Sequence, residues 1–183
     1  MQERQSVLGL SFDALADAEK QPSQEWRVYL AALEDVRCDY FVVPIIVNGK
    51  KLPRAETGIN YGSASNKRKT VESWFHPDNG KFKGWNIGIA TGRTDGVFVM
   101  DVDRHGNEDG LLALKRLEKE FGQLPDGPVQ NTPNDGKHYL FRWQENASQS
   151  TGKIAKAIDT RGGETNACKG HVVAFHSVIE GKM

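Results

Sequence analysis

The chain has 183 residues, 24 basic and 24 acidic side chains, a net charge of zero and a mean hydropathy of −0.57. This length suits one domain with or without a short extension, and the composition is that of an ordinary soluble protein. No run approaches the roughly 20 apolar residues of a membrane span, so we expect no membrane association. Residues 2–4 lead into no apolar segment of signal-peptide type, which favours a cytoplasmic protein.

The two cysteines, Cys38 and Cys168, are too few to build a structural zinc site by themselves. In a reducing compartment they are expected to be unpaired thiols. We therefore assign them no metal or disulfide framework.

Charge is unevenly distributed along the chain. Residues 48–93 hold nine basic side chains against three acidic ones, whereas residues 94–145 hold ten acidic against six basic. A basic segment beside an acidic one suits a protein that binds phosphates with the first and metal ions with the second. Solvated surface loops are the alternative interpretation of the basic segment.

The first 38 residues predict a helical extension. A weak helix pattern covers residues 1–20, and Ser23 can cap a stronger one in which apolar residues recur at intervals of three and four up to Val36. An apolar strand follows at Tyr40–Val47, and Pro44 predicts an edge or bulge position because proline donates no ladder hydrogen bond. Asn48-Gly49 predicts a turn.

The remaining chain, residues 39–183, predicts one catalytic domain of the α+β class, with helices on a mixed, largely antiparallel sheet. After a long loop at Pro53–Lys69, the patterns predict helices at Thr70–Phe75 and Gly110–Phe121. The strands Asn86–Thr91 and Val97–Asp101 are expected to form a hairpin-like pair. Further strands are predicted on either side of a polar loop that follows residue 143, at Val129–Thr132, Lys137–Trp143, Ala157–Thr160 and His171–Ser177.

An acidic pair stands at the end of one predicted strand. Asp101 and Asp103 follow four apolar residues, and strand alternation predicts that both project from one face. Two carboxylates aimed at one place repel each other unless a cation lies between them. Mg²⁺ or Mn²⁺, completed by the phosphates of a substrate, satisfies this requirement. A solvated strand end is the alternative.

Two further segments carry chemistry. Gly136, Lys137 and His138 open a strand after a turn, and their backbone N–H groups, ammonium and imidazole are donors suited to phosphate oxygens. Asp159 and Arg161 flank Thr160, and the arginine can fork two phosphate oxygens. Each segment alone is weak, since lone histidines and aspartates are usually structural.

Taken together, these segments resemble the archaeo-eukaryotic primase superfamily, specifically the bifunctional primase-polymerase N-terminal domain of plasmid, phage and integrated-element replication proteins. The resemblance runs from about Phe41 to the C-terminus. Its landmarks are Pro44, Gly49–Pro53, Trp74-Phe75, Asn86–Gly92, Asp101–Asp103, Thr132–Phe141 and Ile158–Gly163. The family often has serine where Asp95 stands, and it usually continues beyond Met183, so we expect a C-terminally truncated piece.

The resemblance implies a metal-dependent nucleotidyltransferase that uses (d)NTPs and a DNA template. Asp101, Asp103 and Asp159 would bind Mg²⁺ or Mn²⁺, and His138 would contact the phosphates of the incoming nucleotide. Gly136, Lys137 and Arg161 would complete the nucleotide site, and Lys67, Arg68 and Lys69 would track the template. Whether a helicase domain or partner accompanies the chain is left open.

Two other functions remain open at this point. A nucleotide-sugar glycosyltransferase also places an Asp-x-Asp pair after an apolar strand, but it predicts a parallel nucleotide-binding sheet. A non-catalytic template- or origin-binding module of the same fold would keep the architecture without the activity. The acidic set argues against this module, and the expected truncation argues for it.

Overall fold

The structure is a computed structural model that describes residues 22–46, 59–93, 95–163, 167–175 and 177. The helix predicted in residues 1–20 and the turn predicted at Asn48-Gly49 lie outside these residues. Within them, no helix is both long enough and apolar enough to cross a membrane.

In the described ranges, three α-helices form where apolar residues recur at helical spacing. They are α1 (Gln24–Arg37), α2 (Arg68–Phe75) and α3 (Gly110–Phe121), and all three predictions are confirmed. A single 3₁₀ turn covers Tyr61–Ser63, inside the segment predicted as a loop. The Asp109 carboxylate caps α3 by accepting hydrogen bonds from the backbone N–H groups of Leu111 and Leu112, at 3.0 and 3.1 Å.

In the part of the chain that the structure describes, eight strands form one mixed sheet, and two short strands form a separate pair. In chain order they are β1 (Val42–Ile45), β2 (Asn86–Gly92), β3 (Val97–Val102), the pair β4 (Arg104–His105) and β5 (Glu108–Asp109), then β6 (Val129–Asn131), β7 (Lys137–Arg142), β8 (Ser150–Ala155), β9 (Ile158–Arg161) and β10 (Cys168–Val173). The main path runs β1-β2-β3-β7-β6, β10 pairs with β2, and β9 joins β3 to β8. Every pairing except β2–β3 is antiparallel, which confirms the α+β class.

The predicted hairpin between β2 and β3 is wrong. The two strands run parallel and share one bridge, between Thr91 and Val97. Antiparallel β7 pairs with β3 along its whole length, and β9 occupies the other side from Val99 to Val102. Both β7 and β9 come later in the chain than β3. They occupy the edges of β3, so β2 pairs with it only at Val97, where β3 begins.

Two other predictions need correction and one is confirmed. The segment after residue 143, predicted as a polar loop, contains β8, whose side chains are mostly exposed and therefore lack an apolar alternation. The last described strand is β10, which ends at Val173 rather than at Ser177. Pro44 does lie in an edge strand, since β1 pairs only with β2 apart from an isolated bridge between Val42 and Ser65.

Alternation along β3 separates two packing layers. Met100 and Val102 face α3 and pack with Leu114 and Ile158. Val97 and Val99 face the other way, into a core that they share with residues of α1, α2, β1 and β2. Because α1 contributes to this core, it packs on the sheet. The division predicted between residues 38 and 39 stays a prediction.

The end of β2 and the segment that follows β9 come into contact at two glycines, Gly92 and Gly163. A Cβ built on Gly163 would lie 2.7 Å from the Gly92 Cα atom, and one built on Gly92 would lie 2.8 Å from the Gly163 Cα atom. The Thr91 hydroxyl donates to the Gly162 carbonyl at 3.3 Å beside this contact. The end of β2 can therefore approach the end of β9 only without side chains here.

We expect Gly163→Ala to destabilise the protein by about 1–3 kcal/mol, because the new methyl group would overlap backbone atoms that cannot rotate away. Chemical denaturation checks this value. Gly62→Ala is the control, since its Cβ would meet only a flexible side-chain oxygen of Asn60, at 3.1 Å. Equal stability of the two variants would contradict the close packing.

Asp35 lies on α1 with its Oδ2 atom buried and without a hydrogen bond to the described residues. Burial, with a smaller contribution from the neighbouring Glu34, raises the pKa of Asp35 from 3.8 to about 7. Between these two values the unfolded chain has lost the proton and the folded chain still holds it. Asp35 therefore lowers stability as pH rises from about 4 to about 7.

Asp35→Asn should raise the free energy of unfolding at pH 8 by up to about 4 kcal/mol, and should change it little at pH 4. Thermal unfolding across this pH range measures the difference. Asp126→Asn, at an exposed position, serves as the control and should show no such pH dependence. A difference from wild type that stays constant with pH would contradict the elevated pKa of Asp35.

Candidate active site

Three predicted site residues form a row across three strands. Asp101 on β3 lies directly opposite His138 on β7 and directly opposite Asp159 on β9. Directly opposed residues of antiparallel strands project to the same face, at Cα separations of about 4.5–5.5 Å. The register therefore brings Asp101 and Asp159 side by side, although they are 58 positions apart in the sequence.

Arg161 holds the two acids together. It lies two residues after Asp159 on the same strand, and so on the same face. One guanidinium nitrogen, Nη2, donates to Asp159 Oδ2 at 2.9 Å and to Asp101 Oδ2 at 3.3 Å. This bridge offsets the repulsion between two carboxylates that the register forces together.

His138 faces the other oxygen of Asp101. Its Nε2 atom lies 3.3 Å from Asp101 Oδ1, and both residues are 8% exposed. The contact is not aligned as a hydrogen bond, and among the described residues Asp101 Oδ1 and His138 Nδ1 are buried without any hydrogen-bond partner. Burial alone would raise the pKa of Asp101, but His138 and Arg161 hold that pKa below its usual value.

The sequence did not reveal what positions Asp159. Its Oδ1 atom accepts a hydrogen bond of 2.9 Å from the backbone N–H of Gly152, in β8. Gly152 has a φ of +60°, and the register of β8 against β9 shifts between Ser150 and Ala155. The only available signal was a glycine inside a polar segment, and that pattern is common to many loops.

Asp103 lies just beyond the end of β3. Its N–H donates to the Ala157 carbonyl and its own carbonyl accepts from the Gly110 N–H, both at 2.9 Å. A Cβ on Gly136 would lie 2.5 Å from the Val102 carbonyl oxygen, so the predicted glycine turn packs closely against this point. Strand alternation no longer determines the direction of Asp103, because β3 ends at Val102.

Lys137 does not share the face of this row. Lys137 begins β7 one residue before His138, and alternation assigns it to the opposite face of that strand. Lys67, Arg68 and Lys69 are exposed where α2 begins, rather than in a long loop. Arg68 pairs with Glu72 at 2.7 Å. The roles assigned to these residues stay predictions.

Two of the three predicted metal ligands, Asp101 and Asp159, lie close enough to share one divalent ion. Across the described ranges, no group of three histidine, cysteine or acidic side chains is arranged to hold a metal ion. Asp101 and Asp159 nevertheless lie side by side, and Asp101 offers a buried oxygen without a hydrogen bond. Two carboxylates completed by substrate phosphates are a usual set for Mg²⁺. The role of Asp103 as a metal ligand stays a prediction.

His138→Gln should raise the pKa of Asp101, because it removes the imidazole that favours the charged carboxylate. The stability that Asp101 contributes is present above its unfolded pKa and is lost as pH falls through its folded pKa. The variant should therefore lose that stability at a higher pH than wild type. NMR titration of the aspartate carboxyl carbons measures this shift.

His105→Gln is the control for this titration, because His105 is exposed on β4. It should leave the titration of Asp101 unchanged. The same Asp101 pKa in wild type and His138→Gln would show that the 3.3 Å contact has no electrostatic effect.

The family described as bifunctional DNA primase/polymerase, N-terminal, matches residues 23–183. Comparison with curated proteins and with solved structures found no match. The family match covers α1 and every strand, and it includes the row formed by Asp101, His138 and Asp159. It implies a DNA primase/polymerase role of the nucleotidyltransferase type. The chain therefore belongs to the family of N-terminal domains of bifunctional DNA primase/polymerases.

Proposed function

We propose that the chain catalyses metal-dependent nucleotidyl transfer, which joins (d)NTPs to a 3′-hydroxyl on a DNA template. The observation that carries this proposal is the row of Asp159, Asp101 and His138 on one face of the sheet. A polymerising centre needs acids to hold cations beside donors for phosphate, and this row supplies both within hydrogen-bonding reach of one another.

Asp101 and Asp159 would hold Mg²⁺ or Mn²⁺, with Asp103 as the proposed third ligand. When bound, such ions lower the pKa of the attacking hydroxyl and neutralise charge on the leaving pyrophosphate. The depressed pKa of Asp101 supports this role, because the carboxylate stays ionised without a metal. The low exposure of Asp101, 8%, limits competition from water for the same oxygens.

His138 and Arg161 would orient the triphosphate. Both border the carboxylates, and an imidazole and a guanidinium both carry N–H groups that suit phosphate oxygens. We also propose that the exposed residues Lys67–Lys69 contact the template backbone, and that the domain serves a replication protein of the mobile-element or phage type. These two statements rest on charge and on family membership.

The two rival functions separate on different grounds. A glycosyltransferase with an Asp-x-Asp pair predicts a parallel nucleotide-binding sheet, whereas here a single bridge is parallel. A non-catalytic template-binding module is compatible with the fold. The conjunction of two adjacent acids with groups that suit phosphate oxygens favours catalysis over binding alone.

Asp101→Asn and Asp159→Asn should each reduce primer extension by at least about 100-fold, because each removes a negative charge that attracts the cation. Extension of a labelled primer with Mg²⁺ or Mn²⁺ and dNTPs measures this. Asp126→Asn, which is exposed and remote in sequence, is the matched control and should extend normally.

Asp103→Asn assayed in parallel tests the proposed third ligand separately. Extension by Asp101→Asn at the wild-type rate would exclude the proposed centre. Template binding by the wild-type protein without any incorporation would favour the non-catalytic module.

A further inference from the structure

We propose that Arg161 is an internal counter-cation. It holds the acids in the metal-free site, and it moves from them to the triphosphate when a divalent ion binds. This proposal rests on the proposed function, since it requires that the site bind a metal. It goes further by assigning two successive partners to one side chain and by predicting opposite effects of its removal on two ligands.

The first observation is which oxygens Arg161 engages. Its Nη2 atom contacts the Oδ2 atom of both acids, at 2.9 Å for Asp159 and 3.3 Å for Asp101. The other Asp159 oxygen accepts from the backbone N–H of Gly152, and the other Asp101 oxygen faces His138. The guanidinium therefore already occupies one oxygen of each acid, Oδ2 of Asp101 on β3 and Oδ2 of Asp159 on β9.

The second observation concerns charge. Two carboxylates held at directly opposed positions need a positive charge nearby, and here that charge is a single guanidinium. A divalent ion bound by the same oxygens would lie next to this cation and be repelled by it. Arg161 and a metal ion are therefore expected to compete for the pair of acids.

The third observation is that Arg161 has an accessible side. Its side chain is 29% exposed, against 11% for Asp101 and 15% for Asp159. The guanidinium can thus turn outward while the acids stay in place, and Gly152 continues to hold Asp159. A triphosphate that arrives with the ion offers oxygens in the fork geometry that arginine prefers.

Opposite changes in affinity follow. Without Arg161 the Oδ2 atoms of the two acids lose their competing cation, so Mn²⁺ alone should bind at least about tenfold more tightly. The triphosphate loses a partner, so a non-hydrolysable dNTP in saturating Mn²⁺ should bind at least about tenfold more weakly. A residue with only a structural role would weaken both or neither.

Isothermal titration calorimetry on the full chain tests this with two titrations, one of MnCl₂ alone and one of an α,β-imido dNTP in saturating Mn²⁺. The variants are Arg161→Gln and Arg161→Lys, and Arg116→Gln is the control because Arg116 is exposed on α3. Arg161→Lys keeps the charge but not the fork, so it should bind Mn²⁺ alone nearly as wild type does and bind the dNTP more weakly.

Each outcome is informative. Tighter Mn²⁺ and weaker dNTP binding by Arg161→Gln supports the proposal. Wild-type binding of Mn²⁺ with no gain in Arg161→Gln overturns this inference alone and leaves the proposed function standing. Failure of wild type to bind Mn²⁺ even with the dNTP overturns both. If Arg161→Gln does not fold, Arg161→Lys decides, and unchanged dNTP affinity in that variant overturns the transfer to the triphosphate.

Discussion

The repulsion between Asp101 and Asp159 is the constraint on which the rest of the site depends. The register of β3 against β9 places these carboxylates directly opposite each other, at a position where little water reaches Asp101. Such a pair is unstable without a positive charge, and Arg161 supplies it from the same strand as Asp159. His138, on the other side of β3, adds a second favourable contact.

The scaffold fixes this arrangement through backbone hydrogen bonds rather than through side-chain packing. β3 is paired along both edges, with β7 and with β9, so a register slip would have to break two ladders at once. Alternation then assigns Met100 and Val102 to the layer beneath α3, and Val99 and Asp101 to the opposite face. The close contact of Gly92 with Gly163 joins the end of β2 to the end of β9, two residues beyond Arg161.

The sequence predicted which residues carry chemistry, but it did not predict which strands pair with one another. α3 was predicted with its observed bounds because leucines at helical spacing are a local signal. Asp101, His138 and Asp159 were identified as candidates from strand ends and residue types. The partners of β3 come from residues 137–161, and no local pattern specifies them, so the β2–β3 hairpin was wrongly predicted. β8 was missed because its side chains are exposed. For the same reason, the hydrogen bond of Gly152 to Asp159 could not be anticipated.

The location of β8 has a consequence for how the acids move. Among the strands that the structure describes, β8 pairs only with β9, and its backbone supplies the hydrogen bond that orients one Asp159 oxygen. Edge strands with exposed side chains open more readily than central ones, since little apolar surface holds them closed. We expect an opening of β8 to release one oxygen of Asp159, while Arg161 still holds the other and Asp101 stays on the doubly paired β3. Asp159 is therefore expected to be the more mobile of the two acids.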